Sequence, residues 1–204
     1  MGFIDRLLLA ANMYAIDVAI VYNKKDMLRE KDFERFDEIA AIYRKMDYPV
    51  HLVSAETKEG LAEISQLIEG KTVIFAGHSG VGKSTIVNQL IPGLDIKTNI
   101  ISKFTSKGQH TTTVADMYDI NVNTRMIDTP GIKEFAAVHI EPGELAGYFK
   151  DFVPYLENCK FSNCRHENEP NCAIKDAVVE GEITESRFMN YLKLLEEIDK
   201  PHYL

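Results

Sequence analysis

Apolar residues in this chain come in two rhythms, short unbroken runs and longer stretches that repeat every three or four positions. Phe3 to Met13 reads as a helix and Val18 to Tyr22 as a short strand. Phe33, Phe36, Ile39, Ala40 and Tyr43 mark a helix from Phe33 to Met46. Val50 to Val53, behind Pro49, is a strand, and Leu61 to Ile68 is a helix. Thr72 to Ala76 is a strand that runs through a glycine-rich turn into a helix from about Lys83 to Leu90. Val114 to Ile120 alternates as a strand, and Arg125 to Ile127 follows as another. Apolar strands separated by helices predict an α/β fold whose mainly parallel sheet is covered on both faces.

The pattern changes after Gly147. Helical segments are expected at about 174–179 and 184–198, the second with Phe188, Tyr191, Leu192 and Leu195 on one face. A boundary is therefore expected near 147–155, between an α/β domain of residues 1–147 and a small helical module of residues 148–204. The stretch Pro92 to Thr113 is long, polar and aperiodic, as functional or mobile loops are.

Composition narrows the choice. At 204 residues, 45% hydrophobic and 26% charged, the chain has room for one α/β domain and an appendage, and is not disordered, collagenous or coiled-coil. Leu7 to Ala11 is too short to span a bilayer, and no signal-peptide pattern surrounds it. The net charge of -8 excludes a whole-chain basic clamp on nucleic acid, so any RNA contact must be local. Three cysteines, all between 159 and 172, cannot pair completely, and a reducing, cytoplasmic setting is expected.

Three groups of residues carry chemistry. Gly77-His78-Ser79-Gly80-Val81-Gly82-Lys83-Ser84 fits the phosphate-loop pattern, between a strand and a helix as that pattern requires. Its backbone N–H groups, Gly77 to Thr85, would wrap the β-phosphate, Lys83 would bridge β- and γ-phosphates, and Ser84 would ligate Mg²⁺. Asp128-Thr129-Pro130-Gly131 follows a strand about 45 residues on. There Asp128 would hold a Mg²⁺-bound water and the Gly131 N–H would sense the γ-phosphate. Taken alone, the second motif is an ordinary turn.

Asn23-Lys24-Lys25-Asp26 ends one strand, and Ser54-Ala55 ends another. A carboxylate at Asp26 accepts from the N1–H and N2–H₂ of guanine, where adenine offers no such pair of donors. Asn23 would tie this loop to the phosphate loop, the Lys24 stem would cover the base, and the Ala55 N–H would donate to guanine O6. Cys159, Cys164, His166 and Cys172 supply three thiolates and an imidazole, the donor set of a closed, structural Zn²⁺ site. Free core thiols are the alternative.

The order of these motifs is unusual, because the base loops precede the phosphate loop. With Gly108-Gln109-His110-Thr111-Thr112-Thr113, Asp128–Glu134 and the Cys/His run, the chain resembles the circularly permuted GTPases of small-ribosomal-subunit biogenesis, across essentially its whole length. That resemblance implies Mg²⁺-dependent hydrolysis of GTP to GDP, a role in late maturation of the small subunit, and contacts with its rRNA. It also implies an N-terminal OB-fold and a leading strand, neither of which is found in these residues. By the same resemblance Thr112, with Thr111 and Thr113 as alternatives, meets Mg²⁺ and the γ-phosphate. Ile132 stands where a water-orienting Gln is usual, so His110 is expected to assist hydrolysis. No membrane partner is expected, and the expected state is a monomer. A non-catalytic zinc-bearing interaction module and a P-loop ATPase or kinase are the other readings.

Overall fold

The computed structural model describes residues 2–91, 116–128 and 140–199. Among these, the elements in chain order are α1 (Gly2–Met13), β1 (Ile20–Tyr22), α2 (Glu30–Arg44), β2 (Val50–Leu52), α3 (Leu61–Ile68), β3 (Thr72–Ile74) and α4 (Lys83–Leu90). β4 (Asp116–Asp119), β5 (Arg125–Asp128), α5 (Ala173–Val179) and α6 (Glu185–Asp199) complete them. The helix expected from Phe33 begins at Glu30 because Asp32 reaches back to accept the Arg29 N–H at 2.9 Å, half of a capping box. It stops near Arg44, and Asp47 then turns the chain with a φ of 60°.

The chain divides into two compact units. One comprises Ala19–Ile39 and Pro49–Glu134. Its described strands form two sheets, where the sequence suggested one. β1 and β2 pair in parallel, while β5 lies between parallel β3 and antiparallel β4. No described strand joins β1 to β3. Leu61, Ile64 and Ile68, one face of α3, are buried with Val53, Ala55 and Ile86, and Val21 of β1 and Val73 of β3 pack on the same cluster. Gly60 enters α3 at φ 76°, where a Cβ would stand 2.9 Å from Val53 Cγ1.

The other unit gathers Met1–Val18, Ala40–Tyr48 and Phe135–Leu204. Phe149, Phe152 and Tyr191 form its aromatic centre, with ring centroids 5.0–5.3 Å apart. Leu9, Leu145, Ile174 and Leu195 are buried around them. Two 3-10 turns, Leu145–Tyr148 and Val153–Asn158, link the described part of this core to the cysteine region.

A charged cluster lies inside that core. Arg187 donates to Asp5 at 2.7 Å and, as a two-pronged pair, to Asp151 at 2.7 and 3.0 Å. Tyr43 and Asn190 also donate to Asp5, at 3.0 and 2.5 Å. Burial by itself would lower the Arg187 guanidinium, but Asp151 and Asp5 outweigh it and hold it above its ordinary value. Burial and the neighbouring Asp5 charge push the Tyr43 hydroxyl up.

Candidate functional site

β3 delivers the chain to the phosphate loop, and α4 begins at Lys83 with Gly82 before it at φ 95°. Ser79, Gly80 and Val81 are exposed at the tip, while Ser84 and Thr85 sit half-buried in the first turn of α4. Lys83 Nζ folds back over the loop and donates to the carbonyls of Gly77 at 2.5 Å and His78 at 2.9 Å. The ammonium is thus stationed over the loop that leads into the N-terminus of α4, a setting that favours a bound polyphosphate.

The base loops meet this loop through one side chain. Asn23 Nδ2 donates to Val81 O at 3.0 Å, and Asn23 Oδ1 accepts the Ala55 N–H at 3.0 Å. Asn23 therefore holds three loops at once. The Ala55 N–H, expected to face guanine O6, is given to Asn23 in this structure. Gly82 makes the approach possible, since a Cβ there would lie 2.2 Å from Asn23 Nδ2.

Asp26 is exposed, and Ser54 Oγ donates to its Oδ1 at 2.5 Å. Ser54 is fully buried and also accepts the Thr57 N–H at 3.1 Å, so its hydroxyl is fixed from both sides. Lys24 takes φ 70°, a left-handed conformation uncommon away from glycine, and turns its exposed side chain at the head of the Lys25–Met27 turn. Lys25 pairs with Glu59, and the Glu59 carbonyl accepts the Ser54 N–H at 2.9 Å. Sequence reasoning missed this second link between the base loops, because a Lys and a Glu in separate loops carry no pairing signal.

Asp128 ends β5, which runs parallel to β3 with Ile127 opposite Ile74, so its backbone lies at the phosphate-loop end of that sheet. The Asp128 side chain, and His110, Thr111, Thr112, Thr113, Gly131 and Ile132, lie outside the described residues.

In the other unit Cys159, Cys164, His166 and Cys172 converge, with all four ligand atoms within 4.8 Å of one another. His166 Nδ1 stands 3.3 Å from Cys172 Sγ and 3.6 Å from Cys159 Sγ. His166 reaches inward from a left-handed backbone (φ 61°), and Asn171 (φ 57°) turns the chain before Cys172 caps α5. Burial pushes the Cys164 thiol up to about 12, raises Cys172, and lowers the His166 imidazole. Each shift favours the neutral group, and a cation among the sulfurs would reverse the first two. The donor set and spacing fit a tetrahedral soft-metal site with every position taken by protein. Among the described residues, no helix is long and apolar enough to cross a membrane.

Comparison with known proteins agrees with this arrangement. The RsgA GTPase family profile matches residues 1–138. A small ribosomal subunit biogenesis GTPase RsgA of Flavobacterium johnsoniae is 45% identical over 99% of this chain, which spans 62% of that relative's length. The crystal structure of YjeQ from Thermotoga maritima superimposes with a TM-score of 0.81 at 36% identity, over 98% of this chain and 66% of that one. YloQ, described as a circularly permuted GTPase, gives a TM-score of 0.77 at 30% identity, over 99% of this chain and 64% of that one. The motif order, the three loops joined at Asn23 and these likenesses lead to one conclusion: the chain has the circularly permuted GTPase fold and belongs to the RsgA GTPase family.

Proposed function

We propose that this chain binds GTP and hydrolyses it to GDP and phosphate, and that it serves maturation of the small ribosomal subunit in the cytoplasm. The observation that carries the reading is Asn23, bonded to both the phosphate loop and the Ala55 loop, with Asp26 oriented by Ser54 beside it. Asp26 Oδ1 is taken by Ser54, leaving Oδ2 to accept from guanine. Lys24 covers the base, and Gly77, Ser79, Gly80, Val81, Gly82 and Thr85 surround the phosphates. Lys83 would exchange its two carbonyl partners for β- and γ-phosphate oxygens, which stabilises charge as the γ-phosphoryl leaves.

Ser84 and Thr112 would hold Mg²⁺, which neutralises phosphate charge when bound. Asp128 and Gly131 would sense the γ-phosphate, and His110 would orient the attacking water. Cys159, Cys164, His166 and Cys172 would hold one structural Zn²⁺. In functional terms residues 1–147 form the GTPase domain and residues 148–204 the zinc-binding module. The ribosomal role rests on the name of the RsgA relatives, and the rRNA contact on the family resemblance alone.

Phosphate release from GTP, with ATP as control, with and without purified small ribosomal subunits, tests the reading. Turnover of GTP alone, raised by the subunits, is expected. Equal turnover of ATP would overturn the base assignment. Turnover indifferent to the subunits would remove the ribosomal role.

A further inference from the structure

We infer that Glu59 is a positioning residue for guanine selection, a role that rests on the nucleotide reading proposed above. Two routes run from Glu59 to the Asp26 carboxylate. The Glu59 carboxylate pairs with the ammonium of Lys25, the residue before Asp26. The Glu59 carbonyl accepts the Ser54 N–H at 2.9 Å, and the Ser54 hydroxyl donates to Asp26 Oδ1 at 2.5 Å. The Lys25 N–H also donates to Val53 O at 2.9 Å, one residue ahead of Ser54. Lys25, Asp26, Ser54 and Glu59 thus form a closed ring of contacts that exists without nucleotide.

The backbone holds Glu59 in place against strain. Lys58 before it takes φ 66° and Gly60 after it φ 76°, both left-handed. A lysine keeps that conformation only where its surroundings fix it. Here the Leu61 N–H donates to Lys58 O at 3.3 Å. Gly60 packs so closely that a Cβ would lie 2.9 Å from Val53 Cγ1 and 3.1 Å from Leu52 O. The loop is tied again inside, where the Thr57 N–H donates to Ser54 Oγ at 3.1 Å. Built this way, the second base loop brings Glu59 to Lys25 in one fixed place.

Lys25 is half-buried and Glu59 exposed, so their pair adds little to overall stability. Its effect is local. Asp26 is exposed within the short Lys25–Met27 turn, and Ser54 holds its Oδ1. Glu59 fixes the backbone on either side of that contact, at Lys25 and at Ser54. Hydrogen bonds weaken steeply as their alignment worsens. The 2-amino group of guanine is one of the two donors Asp26 would receive, and hypoxanthine lacks it. Discrimination between these bases is where a loosened carboxylate shows first.

The test compares GDP with inosine diphosphate, which lacks only the 2-amino group. Competition of each against a fluorescent GDP analogue gives the ratio of their affinities for the complete chain. Both ligands carry the same phosphates, so charge at the phosphate loop cancels from the ratio. Glu59→Ala and Lys25→Met should each lower the GDP preference about two- to fivefold, and the double variant should lower it no further. Melting temperatures should stay within about 2 °C of the unaltered chain. Salt should lower the preference of the unaltered chain and leave that of the double variant constant. A preference unchanged in both single variants, or losses that add in the double variant, would overturn the role and leave the nucleotide reading intact. A preference lost only together with a large fall in melting temperature would make Glu59 a stability residue and overturn the role as well. An unaltered chain that binds both ligands equally, or neither, overturns the nucleotide reading and the positioning role with it.

Discussion

At the scale of single residues, function hangs on a few contacts whose loss has calculable effects. On the proposed reading, Asp26→Asn puts an NH₂ donor where an oxygen would accept from guanine, and should weaken GDP by about 1.5–3 kcal/mol, roughly ten- to hundredfold. The same change should favour xanthine nucleotides, whose C2 carbonyl accepts from the new amide. Paired titrations with fluorescent GDP and its xanthine analogue would read both effects. Gly82→Ala forces a Cβ to within 2.2 Å of Asn23 Nδ2 and places alanine at φ 95°. It should cost at least about 1–3 kcal/mol of stability and separate the base loops from the phosphate loop. A lower melting temperature with lost GDP binding would register it. The meeting of the phosphate loop with the Asn23 loop and the convergence of Cys159, Cys164, His166 and Cys172 were legible because each motif has a fixed spacing. The hydrogen bond from Ala55 to Asn23 was not, since a backbone N–H carries no sequence mark of its partner.

At the scale of elements, two devices hold the unit that contains the cysteine cluster, and they respond to different treatments. Arg187 on α6 binds Asp5 of α1 and Asp151 together, with its guanidinium 4.6 Å from the Phe149 ring. Arg187→Ala would take the cation from the buried Asp5 carboxylate and the half-buried Asp151 carboxylate, and should cost about 3–5 kcal/mol, a fall of roughly 10 °C in melting temperature. Arg187→Lys should recover little, because an ammonium cannot pair with Asp151 on two prongs and reach Asp5 as well.

The cysteine cluster answers to pH. His166 is held neutral below its ordinary pKa, chiefly by burial, so the unfolded chain takes up a proton that the folded chain refuses. The metal-free protein should therefore lose stability as pH falls below about 6.5. Glu169 adds in the same direction. Burial would raise it, but backbone N–H groups, including those of Arg165 and Glu167, hold it below its ordinary value. Its contribution is present at neutral pH and is lost on acidification. With zinc bound, acid should also release metal as the thiols regain their protons, which a colorimetric chelator would follow. Helices α5 and α6 were read to within a residue or so from their apolar spacing. The 3-10 turns at Leu145–Tyr148 and Val153–Asn158 were missed, because a turn of four to six residues is too short to establish a period.

At the scale of the whole molecule, packing gathers residues far apart in the chain. The change of pattern after Gly147 marks residues 148–204 as a module, whereas the compact unit of the structure joins residues 1–18 and 40–48 to residues 135–204. Periodicity finds an apolar face but does not say which distant face covers it, and so the Asp5–Arg187 cluster left no trace in the sequence. A fragment of residues 148–204 lacks Asp5, Leu9 and Tyr43, and should bind zinc yet melt without a sharp transition in circular dichroism. The intact chain should melt cooperatively.

The same three-part assembly has a consequence during synthesis. Residues 1–18 and 40–48 are made about ninety residues or more before residue 135. At bacterial translation rates that is a delay of roughly ten seconds. Throughout it Leu9 waits without the core of residues 140–195, and the Asp5 carboxylate without Arg187 and Asn190. The segment between them, which carries the base and phosphate loops, can collapse first. Nascent chains thus offer the apolar face of α1 to chaperones until the residues beyond 135 are made, and pauses before that point should lower the yield of folded protein.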